Sequence, residues 1–149
     1  MSVHLHAERR IDRPPAEVAA FIFDAENNPR WQKGMRSCRW ETPPPTEVGS
    51  TYMQEATFMG RPVTSRFRVT ALDPGHSLTI ETTSGTFPIT VTRTVESDGT
   101  NACRVVADIV GTPGGLMGLL APLTRALAQR SVDADYDRLV TLLSAHSDR

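Results

Sequence analysis

The sequence lacks a strong excess of charge of either sign. Its 16 Lys and Arg residues oppose 17 Asp and Glu residues, so the formal net charge is −1. Proteins that hold nucleic acids usually carry a basic field that attracts phosphate groups, and this composition provides none. The charge balance therefore counts against a nucleic-acid partner.

Long apolar runs are also lacking. The longest stretch without a charged residue includes 110–124, which contains four Gly and two Pro. A membrane-spanning helix needs about 20 mainly apolar residues, so this stretch is too short and too interrupted. The first ten residues contain no apolar signal core, and we expect a cytoplasmic protein without a membrane span.

Residue patterns that mark metal or nucleophile chemistry are scarce. The two cysteines, Cys38 and Cys103, form no CxxC pair, and we expect both to be unbridged thiols. The four His residues form no HExxH pattern, and the Gly residues between 111 and 118 match no phosphate-binding loop. His4 and His6 fall on the polar side of a predicted strand. We therefore expect no metal, no cofactor and no catalytic residue that can be assigned from spacing.

Alternating apolar and polar residues predict seven strands. In residues 3–11 the apolar set Val3, Leu5, Ala7 and Ile11 alternates with polar residues, although Arg9 interrupts the inward side. Turn signals such as Asp73-Pro74-Gly75 separate the later strands. The predicted strands are 3–11, 35–41, 50–58, 61–72, 76–83, 86–96 and 102–110.

Two short helices are predicted between the first and second strands. Pro14 and Pro15 open the first helix, which carries an apolar stripe of Val18, Phe21 and Ile22. We expect Asn28 to cap the second, with Pro29 at its first position and Trp31 inside it. Helices this short need the sheet for support.

One long helix is predicted from Gly114 to about His146. Its first apolar stripe comprises Leu116, Leu119, Leu120, Leu123 and Leu127, and its second comprises Val132, Tyr136, Leu139 and Leu143. At 100° per residue the two stripes lie almost opposite each other. We expect the second stripe to pack on the sheet and the first to roof another space. Either the helix bends near Pro122, or it begins near Ala121 after a separate turn.

The predicted order is one strand, two short helices, six strands in hairpins and one long helix. Hairpins make the sheet antiparallel, and helices gathered on one face give an α+β fold. A length of 149 residues predicts one domain. Seven strands twist enough to curl around the long helix, and a curled sheet closed by helices leaves space for a ligand.

Several short segments, in the same order along the chain, resemble the polyketide cyclase/dehydrase branch of the START-like, or SRPBCC, superfamily. The segments are Ile11 with Pro14-Pro15-Ala16-Glu17-Val18, Asp24 followed by Pro29-Arg30-Trp31, Val48-Gly49-Ser50, Gly60-Arg61, Leu72-Asp73-Pro74, and Tyr136 with Leu139 and Leu143. The resemblance implies a helix-grip fold over 1–149. In that fold, a curved seven-stranded antiparallel sheet wraps around a long C-terminal helix, with two short helices after the first strand. It also implies an apolar cavity between sheet and helix.

Strand alternation selects the side chains that face this cavity. In strand 61–72, Val63, Ser65, Phe67 and Val69 share the inward face, and extending the inward face of Phe87, Ile89 and Val91 places Arg93 inward. Both faces of strand 50–58 mix apolar and polar residues, which leaves two possible orientations. In one, Tyr52 and Gln54 face the cavity. In the other, which we favour less, Glu55 faces it and would serve as a general base with a raised pKa. The predicted ligand-binding residues are Tyr52, Gln54, Ser65, Phe67, Ile80, Thr82, Ile89, Val91, Arg93, Leu119, Leu120 and Leu123.

The first functional hypothesis is a binder of an apolar, polyketide-like or lipid-like small molecule, acting as a monomer or homodimer. The alternative is a polyketide cyclase or dehydratase, and a second alternative is a protein-interaction module. Dehydration needs an acid or base held at the reacting carbon, and the pattern places no His in the cavity. A fold alone does not select among these functions.

Overall fold

The computed structural model describes residues 3–58, 60–85, 88–112 and 121–147. Within these ranges the predicted order of elements is confirmed, and no helix is long and apolar enough to cross a membrane. The elements are β1 (Val3–Ile11), α1 (Pro15–Ile22), a 3₁₀ helix (Ala25–Arg30), β2 (Met35–Trp40), β3 (Thr51–Phe58), β4 (Arg61–Asp73), β5 (Ser77–Ser84), β6 (Ile89–Ser97), β7 (Cys103–Gly111) and α2 (Ala121–Ser147).

The strands form one antiparallel seven-stranded sheet in the order β1-β7-β6-β5-β4-β3-β2. Strands β2 to β7 are joined in sequence as hairpins, and β1 pairs with β7 along its whole length, from Val3 opposite Gly111 to Ile11 opposite Cys103. The β4–β5 turn contains Gly75 at φ 76°, a left-handed value that glycine adopts without steric cost. The sheet curls around α2, so the predicted helix-grip architecture is confirmed.

The second short helix differs from the prediction. It is a 3₁₀ helix over Ala25–Arg30, and its cap is Asp24, whose side chain accepts a hydrogen bond from the backbone N–H of Glu26. Asn28 and Pro29 therefore lie inside the helix, and Trp31 follows it. Asp24 and Asn28 are both residues that cap helices well, and Asp24, which comes first, sets the start of the 3₁₀ helix.

The C-terminal helix packs on the sheet through its second stripe, as predicted. Tyr136, Leu139 and Leu143 are buried against a core that includes Ala7 and Val105, with Val132 partly buried beside them. The helix is described from Ala121, and the two hypotheses about its start or bend concern residues 113–120, which lie outside the described residues. Leu116, Leu119 and Leu120 lie outside the described residues, as does the side chain of Leu123.

Leu127 corrects the interpretation of the first stripe as a roof. Its side chain is 56% exposed, which is too open for a residue that closes an internal space. Leu127 precedes Tyr136 by nine residues, which places it roughly 180° around the helix from the packed stripe.

Both cysteines are free, which confirms the prediction that they are unbridged. Cys38 lies in the edge strand β2, whereas Cys103 lies in β7 at the other side of the sheet. Cys103 is fully buried among the residues that α1 and α2 cover. Its role is that of a small apolar side chain.

Candidate functional site

The inner face of the sheet is defined by burial and register. Ser65, Phe67 and Val69 of β4 are buried, while their neighbours Thr64, Arg66 and Arg68 are exposed. Tyr52 lies opposite Phe67, and Gln54 lies opposite Ser65. Residues opposite each other in an antiparallel pair project from the same face. Tyr52 and Gln54 are therefore on the inner face, and the alternative with Glu55 inward is wrong because Glu55 pairs with the exposed Thr64.

Three aromatic rings line one side of this inner face. Tyr52 stacks on Phe67 at a ring-centroid distance of 5.3 Å and an interplanar angle of 11°. Trp40 of β2 meets Tyr52 edge to face at 5.4 Å. Both arrangements are favourable aromatic geometries and give the site an apolar wall.

Arg93 of β6 is the charged side chain at the centre of the site. It is buried, with 7% of its surface exposed, and its Nε donates a 3.0 Å hydrogen bond to the hydroxyl oxygen of Tyr136 on α2. The guanidinium carbon lies 5.3 Å from the ring centroid of Trp31. Trp31 in turn meets Tyr136 edge to face at 4.9 Å. Trp31 after the 3₁₀ helix, Arg93 on the sheet and Tyr136 on α2 are thus in mutual contact.

No carboxylate pairs with Arg93 among the residues that the structure describes. Burial alone would lower the pKa of the guanidinium, but the nearby phenol groups of Tyr136 and Tyr52 outweigh burial, and the pKa of Arg93 is raised. The side chain therefore stays a cation inside the protein. A buried cation without a carboxylate partner is unusual because its desolvation is costly.

Tyr52 and Cys38, two titratable groups near Arg93, stay neutral at physiological pH. Burial raises the pKa of the Tyr52 hydroxyl well above its usual value. Burial also raises the pKa of the Cys38 thiol to about 11. Tyr52 is therefore a hydrogen-bonding group and Cys38 an unreactive thiol.

A narrow space lies directly beside Arg93; its empty volume is about 180 Å³, but no water-sized molecule fits within it. It is lined by Ile22, Phe23, Ala25, Asn28, Trp40, Tyr52, Leu78, Ile80 and Arg93. Asn28 is almost fully buried, and its Nδ2 donates weakly to the sulfur of Cys38 at 3.8 Å. Its Oδ1 has no hydrogen-bond partner among the residues that the structure describes. The space therefore combines a buried cation with an unsatisfied buried acceptor.

The predicted ligand-binding residues fall into three groups. Tyr52, Ile80 and Arg93 line the space described above. Ser65, Phe67 and Val91 are buried on the same sheet face, and Gln54, Thr82 and Ile89 are partly buried there. Leu119 and Leu120 lie outside the described residues, as does the side chain of Leu123.

Four important site residues were not among those predicted: Asn28, Trp31, Trp40 and Tyr136. Cys38 and Trp40 are two positions apart in β2 and therefore share a strand face, and this spacing could have indicated that Trp40 lies on the inner face. Tyr136 was assigned to sheet packing, and no sequence pattern connects it with Arg93, from which it is 43 positions distant. Asn28 was assigned to a helix cap.

The histidines whose side chains the structure describes, His4, His6 and His76, lie away from the inner face. His4 and His6 are exposed and both contact Oδ1 of Asp108, at 3.1 Å and 2.9 Å. These contacts, led by that of His6, lower the pKa of Asp108. The ring Nδ1 of His76 lies 3.0 Å from the carbonyl oxygen of Val95. Among the described residues, no group of three or more His, Cys, Asp or Glu side chains is arranged to hold a metal ion.

A curved seven-stranded antiparallel sheet that grips a C-terminal helix is the architecture of START-like proteins. Residues 2–144 match the family described as "Polyketide cyclase / dehydrase and lipid transport". The chain therefore belongs to this family, as the resemblance implied. No curated protein matches the sequence significantly.

Solved structures share the fold at low sequence identity. A protein from Thermus thermophilus superposes with a TM-score of 0.82 at 22% identity, covering 97% of this chain and 99% of that chain. A START superfamily protein from Mycobacterium smegmatis gives 0.79 at 11% identity, covering 96% and 98%. The Zhui aromatase/cyclase from a Streptomyces species gives 0.75 at 9% identity, covering 100% and 95%. Identities this low establish the fold alone.

Proposed function

We propose that this protein binds an apolar small molecule of the polyketide or lipid type on the inner face of the sheet, and that Arg93 contacts an oxygen atom of that molecule. The observation that carries the proposal is the buried guanidinium of Arg93, which has no carboxylate partner among the described residues. The family description, which names polyketide cyclases, dehydrases and lipid transport, supports the same class of ligand.

The argument rests on the hydrogen-bonding capacity of Arg93. A guanidinium group has five N–H donors, and the one on Nε is used by Tyr136. The ring face of Trp31 offsets part of the desolvation cost. A carbonyl, enolate or carboxylate oxygen of a ligand would accept from the remaining donors. We therefore place the polar end of the ligand at Arg93 and its apolar body against Tyr52, Phe67 and Ile80.

The remaining predicted contacts extend this site along the inner face. Gln54, Ser65 and Thr82 offer hydrogen-bonding groups there, and Ile89 and Val91 offer apolar surface. Leu119, Leu120 and Leu123 remain proposed contacts from the sequence alone. The location in the cytoplasm, the single domain and the monomeric or homodimeric state also stay predictions.

The space beside Arg93 limits what enters without rearrangement. It has no room even for a water-sized molecule, whereas small-molecule pockets usually have roughly 300–1,000 Å³. The proposal therefore requires that side chains around it move when a ligand binds. Phe23 and Trp40, which form one wall, are only partly buried and are the ones we expect to move.

A second candidate function is cyclisation of a polyketide-like chain. The aromatase/cyclase of similar fold supports it, and Arg93 is suited to stabilise negative charge on an enolate oxygen. The inward-facing strand residues that the structure describes include no His, Asp or Glu to transfer protons. Binding without chemistry is therefore the function we favour.

A pair of fluorescent probes tests the proposal. Anilinonaphthalene sulfonate and N-phenylnaphthylamine share the same rings, but only the first carries an anionic group. We expect the wild-type protein to prefer the sulfonate probe. Arg93→Met should weaken sulfonate binding roughly tenfold or more, as expected for loss of a charged hydrogen bond, while the uncharged probe is little affected.

The control is Arg68→Met. Arg68 is exposed on the outer face of β4 and should not affect either probe. A wild-type protein without preference for the sulfonate would contradict the proposal even if Arg93→Met fails to fold. Arg93→Lys, which keeps the charge but not the guanidinium geometry, should give an intermediate loss. Turnover of an unreduced polyketide mimic by the wild-type protein would favour the cyclase function.

A further inference from the structure

A separate open groove lies at the end of the sheet where α1 meets the β2–β3 loop and the β4–β5 turn. Its volume is about 920 Å³, within the range of ligand-binding pockets. We call it the α1 groove and define it by Ala16, Phe23, Asp24, Glu26, Trp40 and Pro44. It shares Phe23 and Trp40 with the space beside Arg93, so these two side chains separate the two sites.

The walls of the α1 groove are mainly apolar. Helix α1 contributes only small side chains on this face before Phe23, which leaves room for a ligand. Three consecutive prolines, Pro43 to Pro45, also line the groove, as do Phe23 and Trp40. An apolar molecule in the groove would contact aromatic rings and proline rings.

The loop between β2 and β3 carries the prolines. Hydrogen bonds within the loop and to β4 hold its C-terminal part in place. The hydroxyl of the buried Ser50 accepts from the backbone N–H of Glu47 at 2.9 Å. Gly49 donates to the carbonyl of Val69, and Val69 donates back to the carbonyl of Ser50, each at 2.8 Å. Proline rings also fix their own backbone angle. The groove wall is thus formed before any ligand binds, which lowers the entropic cost of binding.

The charge in the α1 groove is all of one sign. Asp24 and Glu26 are its charged residues, and no Lys or Arg is among the described residues that line it. Asp24 Oδ1 accepts from Nε1 of Trp40 at 3.0 Å, and Glu26 Oε2 accepts from the backbone N–H of Trp40 at 3.0 Å. The second oxygen of each carboxylate has no partner among the residues that the structure describes, so each can accept another donor.

Helix α1 adds to the negative potential. Its last residue, Ile22, is followed directly by Phe23 and Asp24, so the carboxyl end of the helix lies beside the carboxylates. The partial negative charge at a helix C-terminus favours cations. The indole of Trp40 favours them as well through its ring face.

We propose that the α1 groove binds a small apolar molecule that carries a protonated amine, with the amine at Asp24 and Glu26 and the apolar body between α1 and the prolines. This site is distinct from the proposed site at Arg93, because one prefers a cation and the other an anionic or carbonyl oxygen.

Three probes with one apolar body test the charge preference. Phenylpropylamine, phenylpropanol and phenylpropanoate differ in the head group, and isothermal titration gives their affinities. We expect the amine to bind roughly tenfold more tightly than the alcohol and the carboxylate to bind most weakly. The indole N–H resonance of Trp40 should shift on binding of the amine, and that of Trp31 should move less.

Matched variants locate the site. Glu26→Gln keeps an acceptor for the Trp40 backbone N–H. It should weaken binding of the amine roughly threefold without changing binding of the alcohol. Glu47→Gln, in the loop between β2 and β3, is the control and should change neither affinity. Ala16→Leu should fill the groove and weaken the amine and the alcohol alike. Ala134→Leu, on an exposed position of α2, is its control.

Three results would overturn the proposal. They are equal affinity for amine and alcohol, no movement of the Trp40 indole resonance, and no effect of Ala16→Leu. None of these three measurements uses an Arg93 variant or the sulfonate probe. Failure of the proposal for the α1 groove can therefore be distinguished from failure of the proposal for the Arg93 site.

Discussion

Arg93 Nε donates a 3.0 Å hydrogen bond to the hydroxyl of Tyr136, and this bond joins the inner face of the sheet to the C-terminal helix. Both residues are buried, and the two share the ring of Trp31 as a neighbour. The bond therefore holds together the sheet, the helix and the segment after the 3₁₀ helix. It also fixes the direction in which the Arg93 guanidinium points.

Tyr136→Phe should remove this bond and keep the ring. A buried charged donor left without its acceptor costs about 1–3 kcal/mol, so we expect a loss of unfolding free energy of that size. Chemical denaturation measures it. Tyr52→Phe is the control, because no hydrogen bond of the Tyr52 hydroxyl is found among the described residues, and a change below about 0.5 kcal/mol is expected. Equal effects of the two substitutions would contradict the role given to the bond.

Trp31 should be a structural anchor. Its side chain is 1% exposed and lies against both Arg93 and Tyr136. Trp31→Ala should cost about 3–5 kcal/mol of unfolding free energy, as large-to-small changes in cores do. Trp31→Phe should cost less, because it keeps an aromatic ring and removes an indole N–H that has no hydrogen-bond partner within the described part of the chain. An unchanged melting temperature for Trp31→Ala would refute the anchor role.

Cys38 should be a poor nucleophile in the native protein. Its thiol pKa of about 11, raised by burial from the ordinary value of 9.0, implies a thiolate fraction about a hundredfold lower near pH 8. Alkylation of native Cys38 by iodoacetamide should be slower by a comparable factor than in the urea-unfolded protein. The same shift predicts a loss of stability as the pH rises from 9 towards 11, because only the unfolded state then releases the proton. Rapid alkylation of the native thiol would contradict its burial.

Gly85 should tolerate no side chain. Its φ is 124°, and a Cβ placed there would lie 2.5 Å from Oγ of Ser65 and 2.9 Å from its Cα. Gly85→Ala should therefore destabilise the protein by about 2 kcal/mol or more, through backbone strain and steric overlap together. Gly99, at φ 96° with open space around it, provides the control: Gly99→Ala carries the strain without the overlap. We expect Gly85→Ala to be clearly the more harmful of the two in thermal unfolding.

Much of the fold could be predicted because its signals are local. The strict alternation of Val3, Leu5 and Ala7 placed β1 correctly at both ends, and Pro and Gly marked the hairpin turns. The 3₁₀ helix was misplaced because Asp24 and Asn28 are both good caps, and propensity does not rank them. Leu127 was misplaced because helical spacing shows which residues share a face, but it does not show what that face contacts.

The site was less predictable because it depends on contacts distant in sequence. Alternation along β6 placed Arg93 inward correctly. Its contacts with Trp31 and Tyr136 depend on how the 3₁₀ helix and α2 pack, and no spacing rule encodes that. The orientation of Tyr52 and Gln54 required the register with β4, because both faces of β3 carry polar and apolar residues.

The most direct test of the proposed Arg93 site is the nitrogen-15 NMR signal of the Arg93 Nε–H group during titration with anilinonaphthalene sulfonate. The signal is assigned by its loss in Arg93→Met and is expected to be protected by the bond to Tyr136. We predict a saturable shift with the sulfonate probe and a much smaller one with N-phenylnaphthylamine. An unmoved signal while the sulfonate probe binds and fluoresces would place the anionic ligand elsewhere and contradict the proposed function.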